Sequence, residues 1–294
     1  MAIVILSRGK CGLSRCITLY LVAMATADLM VIFTDVILYT IISFHFPGTY
    51  MDTTPARSLL LVLLSAATDV SVWLTVTFTF DRFVAICCQK LRSKYCTTET
   101  ATVVLTVVSV VLSLKNIPLY FIYEPEYIVD DVPWGNTISL SFYTETAWVA
   151  FDLFCITLTP CFPFLLILLL NALTVRSILV TGKIRRRLQK SSNCEDRNDP
   201  EMEKRRKSII LLFTISGSFV VLWMTRVLHF LYYRITNKHD LTGPGHIAEQ
   251  TGYMLQLLSS CTNTCIYVVT QTRFREQLRD ALLYPFTAVV AWFH

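Results

Sequence analysis

The chain has 294 residues, of which 54% are hydrophobic and only 16% are charged, with a net charge of +5 and a mean hydropathy of +0.53. This composition is too apolar for an ordinary soluble domain of the same length. Water is therefore not the main solvent of this protein. We expect membrane lipids around it and no nucleic acid among its partners.

Apolar segments long enough to cross a bilayer follow one another along the chain. A helix needs about 20 apolar residues to cross ~30 Å of hydrocarbon, where it satisfies its own backbone hydrogen bonds. The sequence therefore predicts an all-α, polytopic transmembrane helix bundle that forms a single domain over residues 1–294. In chain order we predict an apolar stub at 1–6, six spans at 17–44, 57–87, 101–123, 142–180, 208–233 and 246–270, and an amphipathic tail helix at 272–284.

Basic residues fix the orientation of the predicted bundle. If the segment before Ile17 is cytosolic, 21 of the 26 Lys and Arg residues fall in cytosolic loops, helix ends and the tail. This asymmetry satisfies the positive-inside rule. None of the ten cysteines lies in a predicted outer loop, so we expect no outer disulfide. The five basic residues outside the cytosolic group are Arg57, Lys115, Arg226, Arg234 and Lys238.

The outer segment at 120–145 is acidic and has no Lys or Arg. Two interpretations stay open. Its carboxylates serve as ordinary solvated loop residues, or they attract a basic or zwitterionic ligand toward the mouth of the bundle. The acidic residues are Glu124, Glu126, Asp130, Asp131 and Glu145.

Four motifs occur in a fixed order at defined depths of the predicted spans, and ionisable groups at such depths are costly. Together they resemble the rhodopsin-like (class A) G-protein-coupled receptors. The resemblance implies a multi-pass receptor of the plasma membrane that transduces an extracellular small-molecule or peptide ligand to a heterotrimeric G protein. The motifs are Ala27-Asp28, Asp81-Arg82-Phe83, the lone Trp223 of the fifth predicted span, and Asn263-Thr264-Cys265-Ile266-Tyr267.

Under this resemblance the six spans are helices two to seven, and 1–6 is the inner end of helix one. A complete receptor has seven spans, so we expect either a truncated sequence or a protein made with six spans. We favour truncation, because the stub joins a loop that already has the form seen in the family.

The resemblance also implies a sodium and water pocket near the middle of the bundle. The positions that match it are Asp28, Ser71, Trp223, Ser259 and Asn263. Oxygen ligands of this kind suit a hard cation. A sodium ion at Asp28 is therefore the one cofactor that the resemblance suggests.

A second set of residues matches the switch that couples the bundle to a G protein. Asp81 is expected to pair with Arg82 at rest, and Arg82 is expected to reach the G protein once freed. Relatives often carry an acid at the inner end of helix six, where this chain has Arg205. We therefore predict a weaker resting state with some agonist-free signalling. The remaining switch positions are Phe219, Asn263 and Tyr267.

Ligand binding is assigned to Trp223, Arg226, Asp69 and His229. Arg226 lies three residues after Trp223 and so shares its helix face, nearer the outside. It could pair with a ligand carboxylate or with an acid of the bundle such as Asp69 or Asp152, and both alternatives stay open. We interpret Lys115, near an outer helix end, as a side chain that reaches toward the lipid interface.

Within class A, the chain is most similar to the orphan group around G-protein-coupled receptors 139 and 142. Three features carry this similarity: Arg57 in place of the usual outer cysteine, Arg226 shortly after Leu222-Trp223, and Asn171 in helix five. Leu64 departs from the group, which has an acid at that position. The ligands of the group are therefore not transferred to this chain.

Two other functions compete with that of a signalling receptor. A non-signalling receptor remnant would follow if helix one is truly missing, and a membrane transporter would use Asp28, Asp69 and Asp152 as residues of its pathway. The absence of inverted repeats in the sequence argues against the transporter. No nucleophile triad, metal-ligand cluster or phosphate-binding loop is evident in the sequence, so we do not expect an enzyme.

Overall fold

Long helices dominate the computed structural model, which describes residues 2–8, 13–46, 48–191, 200–236 and 243–292. The first described helix is short and packs against both the second helix and the tail helix. Its elements are α1 (Ala2–Ser7), α2 (Arg15–Val31), a π-helical continuation (Ile32–Ile42), α3 (Ser43–His45), a 3₁₀ turn (Tyr50–Asp52), α4 (Thr54–Cys87), α5 (Gln89–Tyr95), α6 (Thr98–Lys115) and a second 3₁₀ turn (Ile117–Phe121).

Four short strands separate this half from the remaining helices. Those helices include a π-helical segment that interrupts the fourth predicted span, 142–180. The elements are β1 (Tyr123–Glu124), β2 (Tyr127–Val129), β3 (Val132–Trp134), β4 (Thr137–Ile138), α7 (Leu140–Thr144), α8 (Thr146–Ile156), the π-helical segment (Thr157–Cys161), α9 (Phe162–Ser191), α10 (Pro200–Thr236), α11 (Pro244–Thr270) and α12 (Thr272–Trp292).

Five of the described helical segments are long and apolar enough to cross a membrane. They are Arg15–Ile42, Thr54–Cys87, Thr98–Phe121, Thr146–Thr181 and Arg206–Tyr232. The sixth predicted span lies in α11, which is 27 residues long but carries polar groups such as Gln256, Ser259 and Asn263 along its length. All three line cavities inside the bundle, and Asn263 is buried.

Two predicted spans differ from the observed helices. The α6 helix ends at Lys115 and gives way to a 3₁₀ turn that contains Pro118, which has no N–H with which to continue an α-helix. The predicted span at 142–180 is broken at Glu145, where the backbone is extended, and again at Thr159, whose non-helical backbone precedes Pro160. Proline explains this second break.

The α4 helix is the central element of the bundle. It has 34 residues and contacts α2, α6, α9 and α10. At ~1.5 Å per residue it is about 50 Å long, enough to reach from one face of a membrane to the other. The largest buried cluster among the described residues draws side chains from α1, α2, α4, α6, α10, α11 and α12. In it Tyr20 packs edge-on against Phe78, and Tyr267 packs edge-on against Phe274.

The acidic outer segment folds into an irregular β-hairpin. Strand β1 pairs with β4, and β2 pairs with β3 inside them, both antiparallel. Asp130 and Asp131 form its tip with positive φ angles of 50° and 59°, a conformation that Asp adopts more readily than most residues. The sequence predicted the charge of this segment but not its strands.

Hydrogen bonds tie this hairpin to the start of α4 in an arrangement that we call the hairpin clasp (Asp52, Thr53, Thr54, Trp134 and Gly135). The Gly135 N–H donates to the Asp52 carbonyl at 3.0 Å, and the Thr54 hydroxyl donates to the Gly135 carbonyl at 2.8 Å. Thr53 and Trp134 form a β-bridge. These contacts hold the hairpin against α4. They lie where the resemblance implies that most class A receptors have a disulfide.

An ion pair at Asp52 stabilises the hairpin clasp. Arg57 Nη2 lies 2.6 Å from Asp52 Oδ1, and Asp52 Oδ2 accepts a hydrogen bond from the Gly48 N–H at 2.6 Å. Both partners of the ion pair are largely buried, with side-chain exposures of 12% and 18%. Arg57, which the resemblance assigned to the position of the usual outer cysteine, thus stabilises the loop to which the hairpin is bound.

Replacing Asp52 with Asn should loosen the hairpin, since it removes a carboxylate that accepts two hydrogen bonds, one of them from a cation. We expect a loss of about 1 to 2 kcal/mol of local stability, and hence an increase of roughly tenfold in hydrogen exchange at the Gly135 amide. The matched control is Asp131→Asn at the exposed hairpin tip, which should leave exchange at Gly135 unchanged. Equal exchange in both variants would show that the ion pair does not hold the clasp.

Candidate functional site

A cavity of about 510 Å³ opens between the outer halves of α4, α8, α10 and α11. Its volume is within the range of about 300 to 1,000 Å³ that is usual for small-molecule sites. Both charge signs occur on its walls, in contrast to the acidic hairpin. The charged residues that line it are Asp35, Asp69, Lys115, Arg226 and Glu249.

A buried ion pair crosses this cavity wall from α6 to α4. Lys115 Nζ lies 2.6 Å from Asp69 Oδ2, and the same oxygen accepts a hydrogen bond from Asn116 Nδ2 at 2.7 Å. The two charged side chains are 10% and 8% exposed. The prediction that Lys115 reaches the lipid interface was therefore wrong. A buried carboxylate on the adjacent helix needs a partner, and Lys115 provides it.

The same ion pair bears on the open alternatives for Arg226. Asp69 pairs with Lys115 rather than with Arg226, and none of the described acidic residues forms an ion pair with Arg226. Arg226 is half-buried in the cavity wall beside His229. Its backbone lies against Gly252 of α11, where an added Cβ would come within 3.3 Å of the Arg226 Cα, so glycine permits the close approach of α10 and α11.

A further acidic group joins α2 to α11 at the level of the cavity. Asp35, which is 1% exposed, accepts a short hydrogen bond from the Tyr253 hydroxyl. Tyr253 lines the cavity as well. Asp35 lies in the π-helical continuation of α2, so the carboxylate is held at a point where the regular helical pattern of that element changes.

Trp223 forms the floor of the outer cavity. Its ring stacks on Phe219 with centroids 5.3 Å apart, and each residue is 4% exposed. Trp223 also lines a second, much smaller cavity of about 10 Å³ directly beneath. The indole ring thus lies between the outer cavity and the polar centre of the bundle.

Asp28 holds three helices together beside this smaller cavity. Its Oδ1 accepts a hydrogen bond from the Ser71 hydroxyl at 2.6 Å, and its Oδ2 accepts one from Asn263 Nδ2 at 2.7 Å. Ser71, Asn263 and Ser259 line the cavity, and Asp28 is 4% exposed. The family resemblance predicted that Asp28, Ser71, Ser259 and Asn263 lie together, and the structure brings these four residues to one place.

These residues fit the chemistry of a small hard cation. The cavity has room for about one water-sized sphere and is lined by hydroxyl and amide oxygens, and the Asp28 carboxylate bonds to two of the lining residues. Each Asp28 oxygen uses one lone pair for the hydrogen bonds described, which leaves acceptor capacity on both. Any sodium ion bound here would neutralise the buried carboxylate.

At the inner end of α4, Asp81 and Arg82 form a buried ion pair. Arg82 Nε donates to Asp81 Oδ2 at 2.9 Å, and Nη2 makes a second, shorter contact with the same oxygen. Arg82 Nη1 donates to the Ser208 hydroxyl of α10 at 3.3 Å. A hydroxyl thus makes the link between α4 and α10 that an acid provides in many relatives, and the sequence analysis did not identify it.

Two thiols complete the surroundings of Asp81. Cys16 Sγ donates to Asp81 Oδ1 at 3.6 Å, and Cys96 Sγ donates to the Asp81 carbonyl at 3.7 Å. Both cysteines line a cytosolic cavity of about 390 Å³ together with Arg82. No sequence motif indicates these contacts, since the two cysteines are 65 and 15 positions from Asp81.

Tyr267 lies in the core of the bundle and is fully buried. Its hydroxyl has no hydrogen-bond partner within the described part of the chain. An unpaired buried hydroxyl is costly. The ring is held by Phe274 of α12, at a centroid distance of 6.0 Å.

Replacing Asp81 with Asn should accelerate alkylation of Cys96. Burial first, and then the negative charge of Asp81, raises the pKa of the Cys96 thiol to about 11. Without that charge the pKa falls and the thiolate fraction at pH 7.4 rises about tenfold for each pKa unit. Maleimide labelling followed by peptide mass spectrometry measures the rate. The Lys90→Gln variant, at an exposed position on the same face, should label at the original rate.

An unchanged Cys96 rate in the Asp81→Asn chain would contradict the placement of the thiol beside Asp81. Equal acceleration in the Asp81→Asn and Lys90→Gln chains would show that the loss of any charge on this face, whatever its sign, speeds the labelling of Cys96.

Comparisons with known proteins agree with this architecture. A family model described as "7 transmembrane receptor (rhodopsin family)" matches residues 1–267. The mouse (Mus musculus) protein "Probable G-protein coupled receptor 142" is 24% identical over 230 residues, which are 75% of this chain and 53% of the relative. The chain therefore spans about half the length of that relative. These matches confirm the predicted resemblance, including the relation to receptor 142.

Proposed function

The chain belongs to the rhodopsin family of seven-transmembrane receptors, and from that premise we propose that it converts the binding of an extracellular ligand into activation of a heterotrimeric G protein. One observation carries this proposal. The described helices hold an open outer cavity and a buried cytosolic Asp81–Arg82 pair on one continuous helix, α4.

The ligand we propose is a small molecule or the end of a peptide that carries a carboxylate. Arg226 lines the cavity and has no ion pair with a described acid, so its guanidinium is available to a carboxylate. Asp69, already neutralised by Lys115, serves as a polar wall, and His229 and Trp223 contact the apolar part of the ligand. A zwitterionic ligand would also experience attraction from the acidic hairpin.

Activation follows if the ligand favours a second arrangement of α10. A ligand that displaces the Trp223 ring also displaces the Phe219 ring, because the two rings stack on the same helix face. Further along that helix, Ser208 holds Arg82. A shift of α10 would break this contact and expose Arg82 to a G protein, as in other two-state helix bundles. Asn263 and Tyr267 of α11 are the further switch residues in this proposal.

A sodium ion at Asp28, with Ser71, Ser259 and Asn263 around it, would stabilise the resting arrangement. A ligand that binds one state selectively shifts the equilibrium toward that state. The hydrogen bonds of Asp28 join α2, α4 and α11. Sodium would add charge neutralisation to a junction that already exists.

The resting state should be weak, because a neutral serine is the contact of Arg82 on α10. A hydrogen bond to a hydroxyl contributes less than a charge-assisted pair with an acid. We therefore expect agonist-free signalling from the unmodified chain.

Nucleotide exchange on purified G proteins tests this proposal. Membranes that contain the chain should stimulate GTPγS binding above membranes that lack it. Asp81→Asn should raise this basal rate several-fold, because Arg82 loses its ionic partner, whereas Arg82→Gln should lower it to background. Lys90→Gln is the matched control for a lost cytosolic charge. Background exchange for the original chain with every G-protein class would refute coupling.

Location is tested separately. We propose the plasma membrane, with the hairpin outside. A peptide tag inserted between Asp130 and Asp131, at the exposed tip, should be labelled by an impermeant antibody on intact cells. Labelling only after permeabilisation would place the chain in an internal membrane or in the opposite orientation.

A further inference from the structure

The outer hairpin contains a tyrosine between two groups of acidic residues. Four carboxylates lie within four positions of Tyr127, and the hairpin has no Lys or Arg. The negative charge on both sides of this tyrosine is therefore not offset by a cation nearby in the sequence. The acidic residues are Glu124, Glu126, Asp130 and Asp131.

Tyr127 is also accessible to another protein. It is 54% exposed, and Ile128 and Val129, which follow it in β2, are 67% and 49% exposed. Successive side chains of a strand point to opposite faces, so both faces of β2 are open. Tyr123, the other tyrosine of the hairpin, is half-buried and hydrogen-bonded to Asn136.

The strand that carries Tyr127 is the free edge of the hairpin. On the opposite edge, Trp134 of β3 forms the β-bridge with Thr53, and Gly135 bonds to Asp52. Among the described residues, none outside the hairpin pairs with the backbone of β2. An extended edge of this kind can be bound by a second protein through strand addition.

We propose that Tyr127 is a sulfation site, at which a sulfotransferase converts the phenol into a sulfate ester. An enzyme with a basic substrate groove selects acidic residues around its target, because its cations bind their carboxylates. Glu126 occupies the position directly before the target. The proposal rests on the orientation proposed above, since protein sulfotransferases work in the lumen of the secretory pathway. It does not depend on signalling.

The sulfonyl donor is a phosphosulfate nucleotide, in which sulfate is joined to a phosphate by an anhydride bond. Tyr127 Oη attacks the sulfur, a new O–S bond forms, and the bond from the sulfur to the phosphate oxygen breaks. The nucleotide leaves with the electron pair of that bond. The phenol proton passes to a base of the transferase. No oxidant or reductant takes part.

Sulfation changes a neutral side chain into a permanent anion. A sulfate monoester is the salt of a strong acid, so it stays ionised throughout the physiological pH range. The hairpin thereby gains one negative charge beside its four carboxylates. Attraction of a cationic partner toward the mouth of the bundle increases as a result, most strongly at low salt.

Two other exposed tyrosines on the outer side serve as internal controls. Tyr50 is 82% exposed and Tyr143 is 57% exposed. The residues directly before them are Thr49 and Phe142, which carry no charge. Tyr143 moreover lies in the helix α7 rather than in an extended segment. Exposure alone would allow both to be modified, whereas the proposed acidic recognition excludes both.

Sulfation of the full chain in lipid nanodiscs tests the site without regard to orientation. Purified tyrosylprotein sulfotransferase and the phosphosulfate nucleotide are the probes, and peptide mass spectrometry locates the sulfate. We expect sulfate on Tyr127 and none on Tyr50 or Tyr143. An unmodified Tyr127 would overturn the proposal, as would equal modification of all three tyrosines.

Charge variants test the recognition. The Glu126→Gln, Asp130→Asn double variant should incorporate sulfate about tenfold more slowly, because two charge-assisted contacts with the groove are lost. Asn tolerates the positive φ of position 130, so the tip of the hairpin keeps its conformation. The matched control is Glu145→Gln, at an exposed acid outside the hairpin, which should react at the original rate. Equal rates in the double variant and the original chain would overturn the proposed recognition.

Radioactive sulfate supplied to cells tests the modification during synthesis. We expect label in the original chain, no label in Tyr127→Phe, and no loss of label on treatment with phosphatase. The Tyr127→Phe change removes only a hydroxyl at an exposed position, so it leaves the fold intact. Absence of label, or equal label in both chains, would contradict the assignment.

Nucleotide exchange then separates this proposal from the receptor function. If Tyr127 carries sulfate but the original chain never stimulates GTPγS binding, the receptor function fails and the site stands. If exchange occurs while Tyr127 stays unmodified both in nanodiscs and in cells, the site fails and the receptor function stands.

Discussion

Four buried aspartates in an apolar bundle set the constraint on which this structure depends. A carboxylate without a partner in such surroundings is costly, and each of the four has one. In each case the partners lie on another helix or connect to one, so satisfying the carboxylate also joins helices: α2 to α4 and α11, α2 to α11, α4 to α6, and α4 to α2 and α10. The four are Asp28, Asp35, Asp69 and Asp81.

These junctions lie at different depths of the bundle: at the outer cavity, at the polar centre and at the inner end. Asp69 and Lys115 belong to the wall of the outer cavity, where a ligand can compete for charge. Trp223 separates that cavity from the junction at Asp28. The contact of Arg82 with Ser208 lies at the inner end, and at 3.3 Å it is longer than the contacts of Asp28, Asp69 and Asp81 with their nitrogen and oxygen partners.

The sequence predicted the class of fold and the residues of its polar centre, because membrane spans have long apolar runs and because the motifs around Asp28, Arg82, Trp223 and Tyr267 stand in a fixed order. Beyond the positions that the family resemblance grouped around Asp28, it did not predict contacts between residues far apart in the chain. Lys115 illustrates the difference: its position near a helix end suggested the lipid interface, whereas the carboxylate that binds it is 46 residues away on α4. The outer hairpin was also missed, since its strands have two or three residues each and show little alternation.

The central claim is that the pairing of Asp81 with Arg82, and of Arg82 with Ser208, holds the inner ends of α4 and α10 together. The most direct test is the distance between spin labels attached through unnatural amino acids at Lys90 and Arg206, two exposed cytosolic positions, measured by pulsed electron paramagnetic resonance. The account predicts that a short distance dominates in the original chain and that a longer one gains population in Asp81→Asn. The same distribution in both chains would contradict it.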